Sequence, residues 1–226
     1  MKASLLLAVL CAISTSAYAQ AADDRPIRRV EVEAGWGVLS GAALGSADAN
    51  LVANVQARQD YRLFGTESRF ALAPAWHVRG AYALSRRFGV EGGVVVSHPE
   101  LRSSLSNDVE GAPALTIVER VDQYFFEGSL VVMLDGLRVG SRTVPYAVAG
   151  AGYLRQLHEG RTVVEEGRVY HVGGGVKHWL LARGQGRIRG AGVRVDARLY
   201  LLASGISFGG SPRPHGALSA SLFVSF

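Results

Sequence analysis

Apolar and polar residues alternate with a period of two along much of this chain, and residues 217–226 show the pattern at its plainest. Leu218, Ala220, Leu222, Val224 and Phe226 share one parity, while Ser219, Ser221 and Ser225 share the other. Successive side chains of a strand point to opposite faces, so this segment has one apolar face and one polar face. The same reading gives eight strands, over about residues 30–39, 70–84, 88–97, 117–134, 144–157, 169–181, 191–202 and 217–226. The seventh is the most regular: Val193, Val195, Ala197, Leu199 and Leu201 alternate with Arg194, Asp196, Arg198 and Tyr200. In the second, Leu72, Trp76, Val78 and Tyr82 oppose His77 and Arg79; in the fourth, Tyr124, Phe126, Leu130 and Val132 oppose Gln123, Glu127 and Ser129. The Ala-Gly run in the fifth blurs its faces, with Tyr146, Val148 and Leu154 together on the side opposite Arg155.

A soluble sandwich also alternates in this way. A chain that closes within a strand on Phe226 instead points to a barrel seam at a membrane interface, where aromatic girdles sit. The fold expected is therefore all-β: an eight-stranded antiparallel up-and-down transmembrane β-barrel. Its connections alternate too. Residues 40–69 and 98–116 make long first and second outer loops, whereas Ser85-Arg86-Arg87 makes the tightest turn, on the opposite side. Short inner turns and longer outer loops are the asymmetry of outer-membrane barrels.

Composition fits this picture. Hydrophobic residues make up 48% of the chain, yet no stretch after residue 19 approaches the roughly 18 apolar residues of a spanning helix. The 28 glycines suit strands and turns better than helices. Lys2, the apolar run from Leu5 to Ile13 and the small-x-small triplet Ala17-Tyr18-Ala19 form a secretory signal peptide, expected to be cleaved after Ala19. Residues 1–19 are thus set apart from one barrel domain, 20–226. The sole cysteine, Cys11, falls in the leader behind Leu10, which leaves neither a lipidation site nor a disulfide framework. The net charge of +5 is carried by scattered arginines, without the basic stripe and interleaved aromatics of a nucleic-acid binder.

The polar faces collect five acids, Glu31, Glu33, Glu91, Glu127 and Asp196, and five bases, Arg79, Arg155, Lys177, Arg194 and Arg198. The interior of an eight-stranded barrel is just wide enough for side chains to fill it. Charges held there must pair, because an unpaired buried charge costs several kcal/mol. The bland reading is an ion-paired lumen plug. The sharper one is a narrow ion path that uses the same groups, and pairing opposes it.

The signal peptide, the eight alternating segments, the run Tyr146-Ala147-Val148-Ala149-Gly150-Ala151-Gly152-Tyr153 and Phe226 together resemble the small outer-membrane β-barrel superfamily, the group containing OmpA/OmpX-type transmembrane domains. The resemblance covers nearly all of residues 20–226. It implies outer-membrane localisation, contact with outer-membrane lipids and lipopolysaccharide, and a terminal strand (Leu222, Val224, Phe226) read by the barrel-assembly machinery. It gives an architecture and no activity. Some barrels of this size modify lipid A. The local candidate for acyl hydrolysis is Ser97-His98 with Glu100, but adjacent strand residues point to opposite faces, and the His-x-Ser-Asn pattern of the lipid A deacylases is absent. His158, His171, His178 and His215 have no metal-site spacing. No catalytic, cofactor or metal residue is assigned. The expectation is a monomeric, non-enzymatic barrel with a structural or surface-recognition role; a narrow pore or small-ligand channel is the alternative, and a lipid-modifying enzyme the second. The outer loops, with Arg58, Asp60, Arg62, Glu67 and Arg69 in the first and the polar run from Ser103 to Asp108 in the second, serve either for recognition or simply as solvated surface.

Overall fold

In the first strand Glu33 is buried while Val32 and Trp36 are about half exposed. This inversion of ordinary burial marks a wall with a polar inside and an apolar outside. The computed structural model of the chain repeats it strand after strand, and describes residues 30–54, 59–106, 113, 115–159, 163–182, 186–203 and 213–226. The signal peptide, Cys11, Arg58, Asn107, Asp108 and Arg183 lie outside the described residues.

The strands are β1 (Val30–Leu39), β2 (Ala42–Asn54), β3 (Gln59–Phe70), β4 (Ala73–Ala83), β5 (Phe88–Ser97), β6 (Glu100–Ser106), β7 (Leu115–Arg120), β8 (Asp122–Met133), β9 (Thr143–Leu157), β10 (Val164–Ala182), β11 (Gly190–Leu202) and β12 (Arg213–Ser225). Eight of them close into a barrel in the order β1-β12-β11-β10-β9-β8-β5-β4. Each pairs antiparallel with its neighbours, and β1 completes the ring by pairing with β12 (Trp36 opposite Ala220) and with β4 (Trp36 opposite Trp76). Closure leaves no barrel strand with an unpaired edge, which a wall in lipid requires.

The outward side chains form a continuous apolar surface. Trp76, Val78, Leu130, Val195, Leu199, Leu218 and Leu222 all stand exposed on it. An apolar patch this large marks a surface covered by another phase. From Leu72 to Leu84 the chain rises roughly 40 Å along the strand, or roughly 30 Å along the barrel at a tilt of about 40°, close to a bilayer's hydrocarbon thickness.

The two long connections differ from the expectation. Residues 40–69 and 98–116 are not plain loops. Hairpin β2/β3 grows out of β1 and β4, hairpin β6/β7 grows out of β5 and β8, and β3 pairs with β6 (Gly65 opposite Ser106, Phe70 opposite Leu101). The result is a four-stranded sheet, β2-β3-β6-β7, standing on one end of the barrel. Alternation conceals it because the ladder slips at Ala43/Gly45 and at Ala49/Asn50, and each slip switches the faces. Gly45, at φ 115°, takes a conformation open to glycine alone at little cost. Pro99, which has no N–H, and Val121 mark the breaks between sheet and barrel, and Val121 donates its backbone N–H to the Pro99 carbonyl at 3.0 Å. Leu44, Phe70, Leu101 and Val121 pack beneath the sheet. Two further loops are shorter than expected, since β10 begins at Val164 and β12 at Arg213. The end that carries the sheet is called the hairpin end, and the opposite one the turn end.

Candidate functional site

Alternation along β1, β4, β5, β8 and β11 sends Glu33, Arg79, Glu91, Glu127, Arg194, Asp196 and Arg198 into the lumen, where all are buried. Their strands are not all adjacent, and only a closed barrel brings them together. Arg79 donates from Nη1 to Glu33 Oε1 at 3.0 Å and from Nε to Glu127 Oε1 at 2.9 Å. Arg198 donates to Asp196 Oδ1 at 2.9 Å, to Glu127 Oε1 at 2.9 Å and to Glu91 Oε1 at 2.7 Å. Arg194 donates to Glu33 Oε2 at 3.0 Å and also to Glu91, and its Nε reaches the Tyr146 hydroxyl oxygen at 2.5 Å. Its guanidinium lies 4.4 Å from the Tyr146 ring centre. Tyr200 donates its hydroxyl to Glu127 Oε2 at 3.0 Å. Three guanidiniums therefore meet four carboxylates in one mesh. Guanidinium suits this position because its planar fork of donors can bridge several carboxylates at once.

Glycines on the inner face make the room. A Cβ at Gly93 would lie 2.5 Å from Arg79 Cγ, and one at Gly150 would lie 2.7 Å from the His171 ring. Such contacts are too close for any side chain, so glycine here is a packing requirement.

Below the mesh, toward the turn end, Lys177 pairs with Glu31. Its ammonium sits 5.5 Å from the centre of the Phe223 ring, and Trp179 meets that ring edge-on at 4.7 Å. Above the mesh, toward the hairpin end, Leu39, Ala75, Val95, Phe125, Leu154, Val169 and Leu202 form a buried apolar layer, with Tyr200 at its junction with the charges. A small cavity lies at that junction, lined by His77, Arg79, Asp196, Arg198 and Tyr200 among others. It has room for about one water.

Arg155 does not join these charges. It is exposed on the outside of β9, while Tyr146, Val148 and Leu154 turn inward. The expected assignment of the two faces of β9 is thus reversed. Gln156, buried and of the same parity as Leu154, is the residue whose polarity marks the inner face, but one amide at the strand end is a weak signal beside the Ala-Gly run. Phe125 and Leu154 also lay outside the expected interior set, because period-two reasoning sends large apolar side chains to lipid.

Ser97 is buried and donates to Gln123 Oε1 at 3.4 Å, whereas His98 is exposed and lies 2.8 Å from Asp122. Serine and histidine are thus directed to different partners. A second serine–histidine pair lies in the lumen, with Ser129 Oγ 2.9 Å from His171 Nε2. The carboxylate nearest the other ring nitrogen, Glu127, stands 3.9 Å away and is already held by Arg79, Arg198 and Tyr200. Both members of the pair are buried in the lumen. Among the described residues no group of three or more His, Cys, Asp and Glu could hold a metal ion.

No family model matches the chain, and no curated protein matches it. Solved structures do. Neisserial surface protein A is 12% identical at a TM-score of 0.50, the likeness covering 87% of this chain and 97% of that one. The outer membrane protease OmpT from Escherichia coli is 10% identical at a TM-score of 0.44, covering 93% of this chain and 99% of that one. The N-terminal β-barrel domain of OprF from Pseudomonas aeruginosa is 9% identical at a TM-score of 0.37, covering 87% and 97%. The chain has the fold of the small outer-membrane barrels.

Proposed function

We propose that this chain is an outer-membrane barrel whose wall anchors it in lipid, whose lumen is closed, and whose working surface is the four-stranded sheet at the hairpin end, held outside the cell in a structural or recognition role. The observation that carries this reading is the division of the molecule. Its interior is filled by an ion-pair mesh under an apolar layer, while the extra strands are all spent on a sheet that extends beyond the barrel. Recognition surfaces usually sit on segments held by a rigid scaffold, and this sheet is such a segment. The barrel works as a monomer among outer-membrane lipids and lipopolysaccharide. The outward row Leu222, Val224 and Phe226 on and just beyond β12 serves the barrel-assembly machinery during insertion.

Cys11, in the expected leader, is the lone cysteine of the chain, so introduced thiols report cleanly. Ser106 is exposed at the tip of β6 and Ser141 is exposed in a turn at the opposite end. A membrane-impermeant maleimide is expected to label Ser106→Cys on intact cells, and Ser141→Cys only after the outer membrane is permeabilised. Equal labelling of both on intact cells, or recovery of the protein in the soluble periplasmic fraction, would overturn the proposal.

A further inference from the structure

The charged residues of the connections are distributed unevenly between the two ends of the barrel. At the turn end, the described residues 84–87, 134–142 and 186–189 carry six arginines against a single acid, Asp135. Asp135 is engaged by Arg138, which donates to it at 2.6 Å. At the hairpin end, by contrast, Glu100, Glu119, Asp122, Glu159, Glu165 and Glu166 offset the bases.

Each turn also sets its arginines beside exposed apolar side chains. Arg86 and Arg87 lie between Leu84, 59% exposed, and Phe88; Arg138 and Arg142 flank Val139, 70% exposed; Arg187 and Arg189 flank Ile188, 50% exposed. A loop facing only water gains nothing from large exposed aliphatic groups at this density. A rim at the edge of a bilayer does: the apolar groups enter the acyl region, and the long arginine side chains extend to the phosphate level.

We infer that the turn end is a binding surface for anionic phospholipid headgroups, with Arg87, Arg142, Arg187 and Arg189 as its principal contacts. This rests on the outer-membrane reading above, which places the turn end at the periplasmic leaflet. The argument for this occupant is charge complementarity. Basic residues close to a bilayer surface draw anionic lipids through short-range electrostatics, and a ring of them beside an apolar belt meets lipid before any other anion.

The test uses the full-length mature barrel in phosphatidylcholine vesicles, with spin-labelled phosphatidylglycerol and spin-labelled phosphatidylcholine compared for association at the protein by electron paramagnetic resonance. The barrel is expected to prefer phosphatidylglycerol several-fold. An Arg87→Gln/Arg142→Gln/Arg187→Gln/Arg189→Gln variant should lose most of that preference. A matched hairpin-end variant, Arg69→Gln/Arg102→Gln/Arg120→Gln/Arg168→Gln, should keep it. If the turn-end quadruple variant does not fold, the pairs Arg87→Gln/Arg142→Gln and Arg187→Gln/Arg189→Gln are each expected to lose part of the preference. A folded, heat-modifiable barrel with no preference, or with a preference lost equally in both quadruple variants, overturns the inference and leaves the barrel reading intact. A chain that never attains the heat-modifiable form in any vesicle overturns both.

Discussion

Replacing Arg194 by leucine is expected to cost about 3–5 kcal/mol of barrel stability. The Arg194 side chain is fully buried and is held by carboxylates from three strands: Glu33 on β1, Glu91 on β5 and Asp196 on β11 itself. Its removal leaves Arg79 and Arg198 to offset four buried carboxylates. The dominant cost is the uncompensated charge left behind, and it exceeds whatever the intact pair contributed net of desolvation. Two consequences separate this from a simple packing loss. Arg194→Lys should recover only part of the stability, because an ammonium cannot span Glu33, Glu91 and the Tyr146 oxygen as the planar fork does. The double variant Arg194→Leu/Glu91→Gln should be less destabilised than the sum of its single variants, because it removes charge from both sides. Urea unfolding in vesicles, followed by tryptophan fluorescence and by the shift between folded and unfolded bands on a gel, measures both. Strict additivity of the two substitutions would contradict the mesh.

Phe125→Ala is expected to cost about 3–5 kcal/mol, as large-to-small substitutions do in a close-packed core. Phe125 is fully buried on β8 and packs against Tyr200, with ring centres 5.3 Å apart. This makes it the largest member of the apolar layer above the charges. Were the lumen a water-filled passage, trimming a wall residue would change little; a substantial loss of stability identifies a core. The mesh beneath the layer is untouched by this substitution, so Phe125→Ala is expected to weaken the barrel without opening it. Stability and conductance, measured on the same preparation, should therefore separate.

The strands that sequence alone makes legible are those whose two faces differ most. β11 is the clearest, since Arg194, Asp196 and Arg198 cannot face lipid while Val193, Val195 and Leu199 can. β9 is obscure because Ala147, Ala149 and Ala151 differ little in hydrophobicity from Gly150 and Gly152, and the interior face carries tyrosine and aliphatic groups rather than charge. Period two identifies a strand but sets its sides only by contrast, and an apolar layer within a lumen removes the contrast. Residues 40–69 conceal their strands for a different reason. Register slips near Gly45 and Asn50 shift the parity, so a hairpin reads as an irregular loop. Which charges would meet is also invisible in the alternation, because partners such as Arg79 and Asp196 lie on strands that become neighbours across the lumen only on closure. Arg155 shows the limit: its charge alone could not place it inside when the parity of its strand was undecided.

The proposal that the lumen is closed is tested most directly by recording from the purified, folded barrel in planar lipid bilayers. If the ion-pair mesh and the apolar layer close the lumen as proposed, insertion is expected to give no conductance steps above the bare bilayer, for the native chain and for Phe125→Ala alike. Reproducible steps of one size from the native chain, present at both polarities and absent when unfolded protein is added, would contradict it.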